Sequence, residues 1–257
     1  MSLRVVGAAA KVQWNTSMRA PEHMLIVITA PIFSIIFLSI VQQAERPDLI
    51  ANAILGTGLV GIWFVAIDVA GGVIQNERWM STLDLVLAAP RAFALVVCGR
   101  ILPVMAIGSF TLVESWLVAY LGFDVELPMR HPALAVLVLV LTLLATACTA
   151  TMLAALFVLS RDTMIFQNAL SYPFYILGGL VFPLSMLPGW IQPAGRLVFL
   201  SWAADLLRDC AGQDQVDNLL PRLGALVGLG AVALGLGVVL IGKAADRARR
   251  TGSVSKA

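Results

Sequence analysis

Long apolar stretches, separated by short polar connections, dominate the pattern of this chain. Six of them lie near or above the length of about 20 residues that a helix needs to cross a bilayer. Lipid offers no partner to a backbone amide, so we predict that all six are helices. The pattern predicts an all-α, polytopic membrane protein, a single transmembrane domain over residues 1–257. The six predicted transmembrane helices cover residues 24–41, 50–72, 93–121, 133–159, 165–182 and 219–241.

The composition agrees with lipid as the main solvent of the chain. Hydrophobic residues make up 60% of it and charged residues 12%, whereas soluble domains average about 45–50% and about 25%. This excludes an ordinary soluble enzyme, a disordered chain and a disulfide-stapled secreted domain. The formal net charge of +2 gives no support to nucleic-acid binding.

The placement of Lys and Arg predicts the orientation of the spans. If the N-terminus is cytoplasmic, the 17 basic residues divide into 12 inside and 5 outside, as the positive-inside rule requires. Both termini are then cytoplasmic. Residues 1–20 are predicted to form an interfacial helix, with Arg4 and Lys11 on its polar face and Trp14 at the headgroup level. A simple polar leader before the first span is the alternative.

The chain shows no pattern of an enzyme or a metal site. His23 and His131 fall at opposite membrane edges, so they cannot share a metal ion. Residues 237–244 match the spacing of a phosphate-binding loop, but Ala244 stands where that loop needs a hydroxyl. We therefore predict no nucleotide site in this chain, and glycines that serve helix packing instead.

Two acidic residues lie inside predicted spans, where charge is costly and often functional. Glu114 lies deep in the third span, and Asp68 lies near the inner end of the second. Each could line a polar path, or could be hydrogen-bonded to a neighbouring helix as a structural group.

Residues 75–90, between the second and third spans, form a predicted cytoplasmic helix. Their apolar stripe at helical spacing consists of Trp79, Leu83, Val86 and Leu87, and Pro90 closes the segment. Such a stripe can sink into lipid or dock in the groove of a partner protein.

Residues 183–209 are apolar but rich in helix breakers. Pro183, Pro188, Gly189 and Pro193 prevent one continuous helix. We predict a re-entrant helical hairpin on the outer side, because broken backbone at membrane depth must be buried in protein or line a cavity.

These patterns resemble the ABC-2-type transporter permeases, the membrane subunits of bacterial ATP-driven exporters. The resemblance covers nearly the whole chain, with Ser81 where the family usually has Gly. The signature of the family's inner helix is matched by Glu77, Arg78, Thr82, Leu83, Leu87 and Pro90. The signature of its outer hairpin is matched by Gly179, Phe182, Pro183, Leu187 and Pro188, followed by Trp190, Asp205 and Arg208.

The resemblance implies a mechanism and partners. Two permease copies, as a homodimer or with a related permease, would sit on two ABC ATPase subunits that bind ATP and magnesium. The chain itself would need no cofactor and would hydrolyse nothing. Coupling to the ATPase would use Glu77, Arg78, Trp79, Thr82, Leu83, Leu87 and Pro90. Substrate would pass outward along spans two and five, near Asp68, Glu114, Tyr172, Phe174, Tyr175 and Phe182.

The resemblance leaves the substrate open. The compact chain and its Leu-Pro-Gly-Trp segment look most like drug-exporter permeases of the daunorubicin-resistance type. We therefore expect an amphiphilic or hydrophobic substrate, such as a drug, an antibiotic or a lipid-like molecule, and a location in the bacterial inner membrane in contact with its lipids. Export of lipid-linked polysaccharide is the alternative within the family. A passive channel or a membrane scaffold is the alternative of another class.

Overall fold

Every regular element that the structure describes is a helix, which confirms the predicted all-α class. The structure is a computed structural model, and it describes residues 2–17, 22–79, 93–159, 163–212 and 215–251. The helices are α1 (Ser2–Ser17), α2 (Glu22–Gln43), α3 (Ile50–Trp79), α4 (Phe93–Phe123), α5 (Pro132–Leu159), α6 (Thr163–Leu177), α7 (Gln192–Gly195), α8 (Phe199–Gly212) and α9 (Leu219–Thr251). Short 3₁₀ turns precede α3 and α7, at Pro47–Leu49 and Leu184–Met186.

Four helices in the described ranges are long and apolar enough to cross a membrane. The apolar part of α2 over Ile28–Gln43 is shorter than this, and α6 has only 15 residues. The count of six spans therefore stays a prediction. The four candidate spans are Pro47–Gly72, Gly99–Phe123, Pro132–Phe157 and Leu219–Lys243.

Two predicted helix bounds are wrong. The helix expected over residues 165–182 ends at Leu177, because Gly179 adopts a φ of +65° that turns the chain out of the helix. The second wrong bound is the start of the cytoplasmic helix expected over residues 75–90. Residues 75–79 do not begin a separate helix but continue α3 to Trp79. The stretch from Ile50 to Trp79 offers no proline to end the helix earlier. Residues 80–90 of the predicted cytoplasmic helix lie outside the described ranges.

Helix α3 lies at the centre of the bundle. Its apolar window is 78% buried, against 28% to 44% for the other three candidate spans. It packs against α2, α4, α5, α6 and α8, while α1 packs against α4. Trp63, fully buried on α3, stacks on Phe174 of α6 with ring centroids 4.2 Å apart. Any site between α3 and its neighbours is therefore built on the most buried of these four candidate spans.

Glycines let α3 approach α4 closely. A Cβ atom on Gly58 would lie 2.9 Å from the Cα atom of Leu112, and one on Gly61 would lie 2.6 Å from Thr111 Oγ1. The Thr111 hydroxyl donates a hydrogen bond of 2.8 Å to the carbonyl oxygen of Gly58. Close contacts between small residues and hydrogen bonds across helices drive helix association in lipid.

Glycines also let α9 approach α5 closely. A Cβ atom on Gly230 would lie 3.0 Å from the Cα atom of Ala145, and one on Gly237 would lie 3.0 Å from that of Met152. Residues 237–244 are helical throughout, in the middle of α9. Phosphate binding would instead need these glycines in a loop between a strand and a helix.

The chain reverses after α6 in a segment that we call the glycine turn (residues 178–182). Side chains from two other helices hold its carbonyl groups. The amide nitrogen of Asn52 on α3 donates a 2.8 Å hydrogen bond to the Val181 oxygen, and Arg208 on α8 donates one to the Gly179 oxygen. The Leu180 carbonyl lies directly against Gly56 of α3. The turn is thus fixed in place without regular secondary structure.

Arg208 belongs to an ion-pair network centred on α8. Its guanidinium lies 2.9 Å from one oxygen of Asp205, whose other oxygen is 2.6 Å from Arg196. Burial lowers the pKa of Arg208, and the negative charges of Asp205 and Asp209 oppose that shift. Arg222 on α9 pairs with Asp209 at 2.6 Å. The network therefore ties the glycine turn, α8 and α9 together.

The first prediction concerns Gly56→Ala. A Cβ atom at this position would lie 2.0 Å from the Leu180 oxygen, so the glycine turn must move. We expect a loss of about 1–3 kcal/mol in the free energy of unfolding, measured in mixed detergent micelles. The matched control is Gly72→Ala on the same helix, where no atom of the described residues lies within 4 Å of the new methyl group. This control should leave stability unchanged or raise it; equal losses in both variants would contradict the close contact.

The second prediction concerns Arg208→Leu. This substitution removes a largely buried partner of Asp205 and the donor to the Gly179 carbonyl. We expect the free energy of unfolding to fall by about 3–5 kcal/mol. We also expect faster amide hydrogen exchange in the glycine turn. Arg46→Leu is the control, since the Arg46–Asp48 pair is exposed (49% and 55%). Exposed ion pairs contribute little to stability, so the amide hydrogens of the control variant should exchange at the rates of the unmodified protein. Unchanged exchange in Arg208→Leu would show that the network does not hold the turn.

Candidate functional site

A cavity of about 680 Å³ lies between α2, α3, α6 and the glycine turn. Its volume is in the range of sites for drug-sized ligands. No residue with a formal charge lines it within the described part of the chain. Its lining combines aliphatic and small residues with two chemically distinct groups, one aromatic and one hydrogen-bonding. The aromatic residues are Phe33, Phe37, Phe64, Tyr172, Tyr175 and Phe182, and the hydrogen-bonding ones are Thr29, Asn52, Thr57, Asn168, Ser171 and both tyrosines.

The mouth of the cavity is aromatic. We define it by Phe33 on α2, Phe64 on α3, Tyr172 on α6 and Phe182 in the glycine turn. These side chains are between 44% and 68% exposed, although they are large and mostly apolar. Aromatic rings at an opening can stack on a planar ligand and bury large areas of it.

Polar side chains lie in the buried part of the cavity lining, beside equally buried apolar residues. We call three of them the floor: Asn52 and Thr57 on α3 and Ser171 on α6, each at most 8% exposed. Thr57 Oγ1 lies 2.9 Å from the Ser115 hydroxyl, and both contact Ser34, so three helices share one cluster of hydroxyl groups. Ser171 donates a 2.8 Å hydrogen bond to the backbone of its own helix. The floor can therefore present hydrogen-bonding groups but no charge.

Asn52 has unused hydrogen-bonding capacity. Its amide nitrogen is committed to Val181, but its Oδ1 atom has no partner among the described residues. A buried acceptor without a partner costs free energy. A donor group on a bound ligand could satisfy this oxygen.

The structure brings three of the six predicted path residues together. Tyr172, Tyr175 and Phe182 all line the cavity. Phe174 does not, because its ring stacks on Trp63 at an interplanar angle of 11° inside the core. The helical spacing of α6 places residues 172 and 175 on one face and residue 174 on another.

The two acidic residues inside spans also lie away from the cavity lining. Asp68 is exposed on α3, and its backbone oxygen accepts a hydrogen bond from Gln167 of α6. Glu114 is buried on α4, and its Oε2 atom has no partner in the described part of the chain. It directly precedes Ser115 of the hydroxyl cluster.

The residues predicted for coupling and for the outer hairpin lie apart from one another. Glu77, Arg78 and Trp79 form the last turn of α3, while Thr82, Leu83, Leu87 and Pro90 lie outside the described ranges. Of the hairpin residues, Gly179 belongs to the glycine turn and Pro183 directly precedes the short 3₁₀ turn. The backbone oxygen of Leu187 accepts a hydrogen bond from Gln192, and Pro188 and Trp190 are exposed at the surface.

Sequence reasoning missed the polar residues of the cavity. Asn52 and Asn168 are amides inside predicted spans, and this signal could have identified them, because an uncharged polar group in a span also needs a partner. Thr57 and Ser171 gave no such signal, since a hydroxyl can bond to its own helix.

A second cavity, of about 350 Å³ between α3, α4, α5 and α8, has a lining of apolar residues. Among the described residues that line it, Trp116 has the one side chain with a hydrogen-bonding group. In the described residues, no group of His, Cys, Asp or Glu could hold a metal ion.

Comparison with known proteins identifies the family of this chain. No curated protein matches the sequence. The family described as ABC-2 type transporter matches residues 5–211, which include α3, the whole cavity lining and the glycine turn. This family comprises transporter permeases, which normally work with an ABC ATPase, and not catalytic domains. The chain therefore belongs to the ABC-2 type transporter family and is a membrane protein of the permease type.

Proposed function

We propose that this chain is the permease subunit of an ABC exporter that moves an amphiphilic or hydrophobic substrate outward across the bacterial inner membrane. The cavity between α2, α3 and α6 is the observation that carries this proposal. It is large enough for a drug-sized molecule and has an aromatic mouth and a buried hydrogen-bonding floor. A drug, an antibiotic or a lipid-like molecule could fit such a lining, with its apolar part against the rings.

The energy comes from separate ATPase subunits that hold ATP and magnesium. The apolar stripe of residues 75–90 is the proposed docking element. Because residues 75–79 continue α3 without a break, movement of this element would pass directly to the helix that forms one wall of the cavity. This continuity offers a mechanical route from ATP hydrolysis to the substrate site.

Two permease copies form the proposed membrane unit, as a homodimer or with a related permease. Both termini are cytoplasmic, as the distribution of Lys and Arg indicates. In this orientation, the glycine turn and the ion-pair network of α8 face outward. Substrate would leave on that side.

Our third prediction tests the function itself. Inside-out membrane vesicles that contain this chain and its cognate ABC ATPase should accumulate a substrate from a panel of drugs and glycolipids only when ATP is present. The matched control uses an ATPase variant that binds but does not hydrolyse ATP. Uptake without ATP would favour a passive channel. ATP-dependent uptake of glycolipids alone would favour export of lipid-linked polysaccharide.

The fourth prediction tests the coupling segment. Leu83→Glu with Leu87→Glu places two charges on the apolar stripe, so we expect ATP-dependent transport to fall at least tenfold while membrane insertion is unchanged. The control is Leu85→Glu with Ala88→Glu, which adds the same charge off the stripe at helical spacing. Transport that survives the first double substitution, or falls equally in both, would show that the stripe does not dock on the ATPase.

A further inference from the structure

We propose that the cavity selects an uncharged aromatic amphiphile that carries a hydrogen-bond donor. This inference narrows the substrate class of the proposed exporter and rests on that proposed function. It excludes organic cations and anions as preferred ligands, although both are common among amphiphilic drugs.

The charge of the ligand follows from the lining. None of the described residues that line the cavity is acidic or basic, and the polar side chains of its floor are an amide and two hydroxyl groups. The acidic residues Asp68 and Glu114 lie elsewhere on their helices, so neither is a counter-ion for a bound cation. Transfer of a charged group from water to an uncharged interior is costly unless a partner of opposite charge receives it. A neutral molecule avoids this cost.

The shape and polarity of the ligand follow from the arrangement of mouth and floor. Rings at the mouth come from four different elements: α2, α3, α6 and the glycine turn. They can stack on a planar ring system, with each contact adding to the area that is buried. The floor then receives the polar end of the molecule.

The preference for a donor follows from Asn52. Its Oδ1 atom is a buried acceptor without a partner in the described residues, while the amide nitrogen is held by Val181. A ligand N–H or O–H group could bond to this oxygen and remove the cost of leaving it unpaired. The floor thus favours ligands with a donor over those with acceptors alone.

The experiment compares matched dyes on the purified full-length chain in lipid nanodiscs, without any ATPase. N-phenyl-1-naphthylamine is uncharged and has one N–H group, and 8-anilino-1-naphthalenesulfonate adds a sulfonate to the same skeleton. Nile red and Nile blue form a second pair, in which the uncharged dye has a cationic relative; Nile red itself has acceptors only and no N–H or O–H group. After subtraction of empty nanodiscs, we expect saturable binding of N-phenyl-1-naphthylamine, weaker binding of Nile red because it offers no donor to Asn52, and binding of each charged dye at least tenfold weaker than that of its uncharged relative.

Variants locate the binding in this cavity. Asn168→Trp and Ile176→Trp each place an indole in the lining, so each should weaken binding of N-phenyl-1-naphthylamine at least tenfold. Ala169→Trp is the control, because Ala169 is exposed on the same helix and outside the lining. Two results would overturn the proposal: a charged dye that binds as tightly as its uncharged relative, or equal binding by Asn168→Trp and Ala169→Trp.

The two proposals can fail separately. Dye binding needs only the permease, whereas the transport assay needs the ATPase and ATP. Normal dye selectivity without ATP-dependent transport would leave the ligand class standing and reject the exporter. Transport of a charged substrate, with no preference among the dyes, would keep the exporter and reject the ligand class.

Discussion

A buried turn that follows a helix has carbonyl groups that no regular element pairs, and this constraint shapes the whole region around the cavity. Helix α6 ends at Leu177, yet Gly178, Gly179 and Leu180 are still buried. The last carbonyl groups of α6 accept hydrogen bonds from the amides of residues 178–181, so the Gly179 and Val181 carbonyl groups of the turn need donors from elsewhere in the protein. Asn52 and Arg208 supply them from two different helices. The end of one helix therefore fixes the relative positions of α3, α6 and α8.

The same donors connect the site to the rest of the molecule. Asn52 contributes to the cavity floor and also holds the glycine turn, in which Phe182 forms part of the mouth. Arg208 links this turn to the ion-pair network of α8 and α9. Charge is thus concentrated beside the cavity and absent from its lining in the described residues. This separation is the physical basis for our proposal that an uncharged amphiphile passes here.

Sequence patterns predicted the elements of this site better than its members. The family resemblance assigned Tyr172, Tyr175 and Phe182 to a substrate path, and all three line the cavity; that the cavity is this path stays a prediction. Phe174 has the same chemistry, but it packs on Trp63 in the core. When a span is hydrophobic all round, its sequence does not distinguish the face that packs on a neighbour from the face that lines a cavity. Hydrophobicity alone therefore cannot tell which aromatic ring faces a neighbour and which faces a cavity.

The sequence by itself determined the all-α class, the membrane as the solvent and the family, because length, hydropathy and short signatures are local properties of the chain. Only the tertiary structure decided that α6 ends at Leu177, that α3 continues to Trp79, and that Asn52 joins the floor of the cavity. These features depend on contacts between residues that are distant along the chain: Asn52 meets Val181, and Gly56 meets Leu180. Helix packing creates such contacts, and hydropathy cannot predict them because it describes each residue without its neighbours in space.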